Sequence, residues 1–388
     1  MASRIVGIGN IIGYVFGYIN LRKYFWFFGN TQFKVLCVIA SIALGVTVVI
    51  SCIFIKERDP RLQGPPTKNK PGVLSFFKGV FSSIKRLPPQ TRKVCEVQFF
   101  TWIGWFPFLF YLSTWIGEIY VQPALRENPH MSEEEIEHLY EKATRVGTFG
   151  LLVWAITSLC ANLILPFFVA PTYDAPVISS ARSIQSVASQ KSYTTRMDRF
   201  ISSLVIPWLS LRRAWMISLI IFALSMFCAL IVSTPTLATI VVGVVGIPWA
   251  LTLWAPFAII SAEVSKRDAL RRQQQSAREV LDPGDDNGDQ AGVILGIHNV
   301  SIAAPQVIAT LGSSFIFRLL QKPRGTPGDK SMPVVFAVGG IFAAIGAFMA
   351  SRLAEEKDNP SDVTTRPEVS RHMGSPSRSA SLGGPLEY

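Results

Sequence analysis

The sequence predicts an all-α membrane protein of about eight transmembrane helices, and three observations carry that prediction. Hydrophobic residues make up 49% of the 388 and charged residues 16%, with a mean hydropathy of +0.34, which is too apolar for a water-soluble domain. The apolar residues gather in runs of about 20, the length that crosses a hydrocarbon layer of roughly 30 Å. The charges gather in the segments between those runs and are biased to one side.

The runs lie at 4–21, 33–55, 95–116, 146–170, 214–233, 236–261, 292–317 and 332–351. The first has Asn10, Tyr14 and glycines at 9, 13 and 17, with no small-residue cleavage pattern after it, so it reads as a closely packed helix rather than a signal peptide. The third, FFTWIGWFPFLFYLSTWIGEIY over 99–120, is uncharged until Glu118 and dense in aromatic rings. Before the fourth, Ser132 and Glu135 make a capping-box pattern that predicts a short external helix leading into the span. The uncharged stretch 214–262 is too long for one span, and Ser233-Thr-Pro-Thr236 divides it into a hairpin.

Orientation follows from lysine and arginine. Placing the first residues, 56–93, 171–213, 262–291 and the tail on one side collects 27 of the 37 basic residues there, so both termini are expected in the cytoplasm. The net charge of +11 is then explained by loops beside an anionic leaflet, and no nucleic-acid partner is called for. The five cysteines fall in or beside apolar spans, which predicts small core fillers rather than disulfides. Residues 56–93 are basic and proline-rich, then amphipathic with Phe76, Phe77 and Phe81, as suits a linker lying on the membrane surface. Residues 171–200, 264–290 and 352–388 are polar and predicted disordered.

Two helices show a polar stripe, which in lipid must face other helices or a wet cavity. On 99–118 the stripe is Thr101, Gly104, Tyr111, Thr114 and Glu118, with Pro107 able to kink the span. Trp115 and Tyr120 are expected in an interfacial aromatic belt. The other stripe, on 292–317, is Asn299, Gln306, Thr310 and Ser313; Gly292 and Gly296 predict a close helix contact, and Pro305 a kink. His298 reads as interhelical glue rather than a proton carrier. Aromatic walls with a few polar anchors suit a small molecule such as a pyranose.

The segments GIGNIIGYVFGYINL (7–21), FFTWIGWFPFLFYLSTWIGEIY (99–120), ATRVGTFGLL (143–152), GIPWALTLWAPFAIISAE (246–263) and GVILGIHNVSIAAPQVI (292–308) together resemble the sucrose and α-glucoside proton symporters of the major facilitator superfamily. The likeness is strongest to fungal members of this glycoside-pentoside-hexuronide:cation symporter type. It implies an incomplete major facilitator fold: residues 1–55 as the last two helices of the first bundle, 56–93 as the central cytoplasmic linker, 94–351 as a complete second six-helix bundle with 171–213 and 264–290 as cytoplasmic loops, and 352–388 as the tail. The first four helices of the family are then expected to be missing.

The resemblance further implies a disaccharide or glycoside substrate, protons as the coupling ion, and a multi-pass protein of the plasma or vacuolar membrane. Asn10, Trp102, Tyr111, Thr114, Asn299 and Gln306 are expected to bind substrate, although plant members place an aspartate where Thr114 stands. Glu118, Arg145 and Glu263 are expected in a gating charge network: Glu118 and Arg145 bracket one outward loop and are placed to pair, and Glu263 is placed to pair with Lys266 or Arg267. No cofactor, metal site or enzymatic centre is expected, since the four histidines are scattered and no aspartate lies within a span. Asp282 to Asp289 faintly matches a calcium loop but lacks its bidentate glutamate. The rival reading is a non-transporting truncated or regulatory membrane protein that keeps the carrier's second bundle.

Overall fold

Each apolar run becomes a helix, and several helices outrun the membrane-length windows because the residues beyond them are good helix formers. The computed structural model describes residues 2–29, 31–55, 87–170, 203–278 and 290–354. The expectations for the amphipathic linker, for Asp282 to Asp289, and for the tail after 354 lie outside the described residues.

The helices are α1 (Ala2–Tyr18), α2 (Leu21–Tyr24), α3 (Gln32–Phe54), α4 (Pro89–Glu127), α5 (Glu133–Ile164), α6 (Leu211–Cys228), α7 (Pro235–Arg278), α8 (Gln290–Leu320) and α9 (Ser331–Ser351). Seven of them are long and apolar enough to cross a membrane. The 17-residue α1 spans about 26 Å, slightly less than the hydrocarbon core, and completes the expected set of about eight. Among the described residues the fold is all-α apart from one short parallel pair, β1 (Val169–Ala170) with β2 (Ile206–Ser210), where Ile206 N–H donates to the Phe168 carbonyl at 3.0 Å.

Three boundaries differ from expectation for physical reasons. The capping box is present, with Ser132 Oγ accepting from Glu135 N–H at 3.3 Å and Glu135 Oε2 from Ser132 N–H at 2.8 Å. It starts one continuous helix rather than a separate external one, because no breaker stands between Glu135 and the span. α7 continues through Arg278, so residues 264–278 are helical where a polar loop was expected; lysine, arginine, glutamine and alanine extend a helix into water at little cost. α5 stops at Ile164, short of 170, because Pro166 follows in a 3₁₀ turn.

α4 packs against α5, α7, α8 and α9, and α6 packs on α7 and α9. Trp105 of α4 stacks on Phe222 of α6 at 3.7 Å between ring centroids, and Phe108 sets its edge to Phe222 and its ring against Phe336 of α9. Trp115 is buried against Phe336 instead of standing in an interfacial belt: its side of α4 faces α9, and sequence alone does not place that neighbour. Gly104 lets α4 approach α9, since a Cβ there would meet the Gly339 carbonyl oxygen at 2.5 Å.

α1 lies along α5 on the face of Gly7, Asn10, Tyr14 and Gly17. Gly9 and Gly13 meet nothing within 4 Å, so the contact runs along the neighbouring ridge rather than the four-residue glycine repeat. Gly296 is likewise open, and the Gly292/Gly296 contact is not made. Glycine spacing shows which residues share a face, not what covers it. Gln32 ties the start of α3 to the end of α1, accepting from Leu21 N–H at 3.0 Å and donating to the Ile19 carbonyl at 2.7 Å. Val35 is also buried, and from Ala40 onward α3 stands exposed. Cys37, Cys52 and Cys160 are also exposed, so only Cys95 is a wholly buried filler; Cys228 is half-buried, and all five thiols are free.

Candidate functional site

The polar stripe of α4 divides along its length. At its inner half Thr101 is wholly buried, its hydroxyl donating to the Val97 carbonyl at 2.5 Å and its side chain set against Gly346, while Gly104 meets Gly339. These residues join α4 to α9. Further along, Tyr111 is half-buried with its ring edge-on to Phe317 of α8 at 4.9 Å, and Thr114 is exposed.

Beside this stripe runs a strip of half-buried and buried rings from four helices. Trp102 of α4 lies 5.9 Å from Trp249 of α7, Trp249 lies 5.3 Å from Trp154 of α5, and Trp154 lies 6.4 Å from Tyr14 of α1. Asn10, one turn before Tyr14 on the same face of α1, is half-buried and makes no side-chain hydrogen bond among the described residues. The indole N–H groups of Trp102 and Trp154 are buried and have no acceptor among the described residues. The strip therefore brings Asn10 and Trp102, expected to act together, toward one aromatic series. It adds Trp249 and Trp154, which sequence reasoning missed although both stand in apolar runs, because no wheel of a single helix shows rings meeting across helices.

The stripe of α8 has a different fate. Asn299, Gln306 and Thr310 are exposed, and only Ser313 is buried. No hydrogen bond or ring contact joins Asn299 or Gln306 to Trp102 or Tyr111 among the described residues. The buried polar link of α8 is instead its neighbour His298, wholly buried, whose Nε2 lies 3.4 Å from the Gln98 amide nitrogen on α4 and whose ring meets Phe257 edge-on at 4.7 Å. Gln98 was missed because it stands at the edge of the aromatic run.

The charged residues fall in separate places. Glu118 Oε2 accepts from the Tyr140 hydroxyl at 3.3 Å, and Arg324 lies over the Tyr140 ring at 4.4 Å. Arg145, half-buried, forms no ion pair or side-chain hydrogen bond among the described residues, so the expected Glu118 and Arg145 pair is not formed; Tyr140, five residues earlier on α5, reaches the carboxylate instead. Glu263 pairs with Arg267 one turn on at 3.2 Å. Among the described residues no three metal-ligating side chains gather. Among the described residues the arrangement offers flat indoles with N–H groups that have no acceptor and, on a separate face of α8, exposed amides; such groups suit a hydroxyl-rich ring.

No protein-family model matches the chain. A general alpha-glucoside permease of Schizosaccharomyces pombe is 31% identical over 395 residues, covering 91% of this chain and 66% of the permease. Sucrose transport protein SUT5 of Oryza sativa subsp. indica is 24% identical over 362 residues, covering 89% and 57%. Sucrose transport protein SUT3 of Oryza sativa subsp. japonica is 26% identical over 360 residues, covering 88% and 60%. The chain thus spans between 57% and 66% of the length of these relatives, all of which are named as permeases or transport proteins rather than enzymes.

Proposed function

Because the chain belongs to the family of sucrose and α-glucoside transport proteins, we propose that it forms part of a membrane carrier for sucrose or another α-glucoside, driven by symport of protons. In this reading α4 to α9 are the second bundle of the carrier, α1 and α3 belong to the first, and both termini lie on the cytoplasmic side of the plasma or vacuolar membrane. Substrate is held near mid-membrane where the bundles meet, and the bundles rock around it.

The observation that supports this most is the tryptophan strip Trp102, Trp249 and Trp154, which packs in the same core as the half-buried Tyr111. Indole faces stack on the C–H face of a pyranose, and the unpartnered N–H groups are donors for its oxygens. Asn10, Thr114, Asn299 and Gln306 supply hydroxyl and amide groups on the neighbouring faces. Glu118, Arg145 and Glu263 lie outside this strip and serve the gates.

The test is uptake of labelled sucrose and maltose into yeast without disaccharide carriers of its own, with and without a proton uncoupler. It compares residues 1–388 with the same chain extended upstream from its gene. Uncoupler-sensitive uptake by the extended form is expected. Uptake that ignores the uncoupler would remove proton coupling, and no uptake of either sugar would remove the substrate assignment.

A further inference from the structure

A cavity of about 600 Å³ opens at the end of the bundle where α4 finishes, α6 turns into α7, and the loop between α8 and α9 folds over. It lies apart from the tryptophan strip, and of its lining only Glu118 enters the functional reading above, as a gating residue. Its size falls within the range of small-molecule sites, roughly 300–1,000 Å³. The walls are apolar, with Ile119, Val232 and Met332, and the polar lining comes from Glu118, Gln122, Arg126, Asp329 and Lys330.

Three of these polar groups, Glu118, Gln122 and Asp329, are held in place by partners behind them. The Tyr140 hydroxyl holds one oxygen of Glu118 at 3.3 Å. Gly328, whose φ of 83° suits glycine, aims its N–H at Gln122 Oε1 at 2.7 Å. Asp329 is fixed by the N–H groups of Lys322 and Ser331 at 3.2 and 2.7 Å. Yet among the described residues neither carboxylate forms an ion pair with Arg126 or Lys330, although all four line the same space. Trp115 also lines it, and its buried indole N–H has no acceptor among the described residues. Oriented acceptors beside exposed cationic donors with which they form no ion pair suit a ligand that does both at each of its groups. A hydroxyl donates and accepts, and a sugar ring carries several of them beside apolar C–H faces.

We propose that this cavity is a second glycoside-binding site, a vestibule built within one bundle and separate from the mid-membrane strip. It rests on the α-glucoside reading for its ligand class. Glu118 and Asp329 accept from sugar hydroxyls, Arg126 and Lys330 donate to them, and Ile119 with Met332 covers a C–H face.

The test uses the full 388-residue chain in lipid nanodiscs, with the exposed Cys37, Cys52 and Cys160 replaced by Ser and an environment-sensitive fluorophore attached at Ser233→Cys on the cavity rim. Maltose and sucrose are expected to change the emission saturably. Glu118→Gln and Arg126→Ala should each raise the half-saturating concentration about tenfold, the scale of one charge-assisted hydrogen bond. Phe110→Ala, on the exposed side of α4 and outside the cavity lining, should leave it unchanged. Circular dichroism checks both vestibule variants, and if Glu118→Gln does not fold, the exposed Arg126→Ala decides. No response to either sugar, a response lost with Trp102→Ala alone, or a response to the zwitterion glycine betaine and not to sugars would each overturn the vestibule. Sugar uptake in cells with a silent fluorophore would sink the vestibule and leave the carrier reading standing; a responding fluorophore without uptake by the extended carrier would do the reverse.

Discussion

α4 and α8 each carry a polar stripe of similar length, yet the bundle treats them oppositely. The inner stripe of α4 is spent on contact, with Thr101 and Gly104 pressed to α9, whereas the stripe of α8 leaves Asn299, Gln306 and Thr310 uncovered. A polar group on a membrane helix therefore has two fates, interhelical packing or an open face, and its residue type does not choose between them. Neighbouring glycines do: Thr101 and Gly104 meet Gly346 and Gly339 across the interface, while nothing approaches Gly296 on α8. The uncovered face is the one left for water, further helices or substrate.

The comparison can be broken most sharply at the aromatic core. Phe108→Ala should cost about 3–5 kcal/mol of stability, because Phe108 is buried among Phe222, Phe336 and Trp154. Phe110→Ala, on the exposed side of the same helix, should cost less than about 0.5 kcal/mol. Thermal unfolding of the chain in nanodiscs measures both, and equal losses would mean that α4 has no packed side.

Next in size is the close approach of the helices. Gly104→Val forces a branched side chain against the Gly339 backbone and should destabilise by about 1–3 kcal/mol or more, while Gly296→Val on the open face of α8 should be nearly silent. A stable Gly104→Val together with an unstable Gly296→Val would invert the assignment of the two stripes.

The buried link between α4 and α8 gives a smaller, more specific effect. His298→Leu alone strands the Gln98 amide and should cost about 1–3 kcal/mol, but Gln98→Leu added to it should recover most of the loss. Additive losses from the two would show that the side chains do not interact.

Smallest is the effect expected on substrate. In the complete carrier Trp102→Ala, Tyr111→Ala and Trp249→Ala should each raise the KM for maltose several-fold, about 1 kcal/mol, with surface expression unchanged. Loss of expression in place of a KM change would assign these rings to packing.

Much of this was legible in the sequence and some of it was not. Runs of apolar residues set the helices, and the Ser132 and Glu135 pattern set the start of α5, because these depend on neighbours within a turn or two. Which face of a helix is covered depends on other helices. Hence Gly9 and Gly13 were read as contacts where Gly7 and Gly17 make them, and Trp115 as interfacial where it is core. The candidate site shows the same division: Trp102 and Tyr111 could be picked from one wheel, whereas Trp249, Trp154 and the Gln98 and His298 link exist only across helices. Glu263 was matched to Arg267 because four residues of one helix separate them, and Glu118 was matched to the wrong residue of α5 because a loop intervenes.

The central claim, that the α8 stripe faces the substrate path while the inner α4 stripe is packed, is tested most directly by thiol accessibility. Asn299→Cys and Gln306→Cys would be placed in the complete carrier, with Thr101→Cys as the buried control, in a background where the exposed native cysteines are replaced by Ser. A small hydrophilic thiol reagent should label both α8 positions, maltose should slow that labelling, and position 101 should stay unmodified. Labelling at 101 with none at 299 and 306, or labelling at 299 and 306 that maltose does not affect, would contradict the claim.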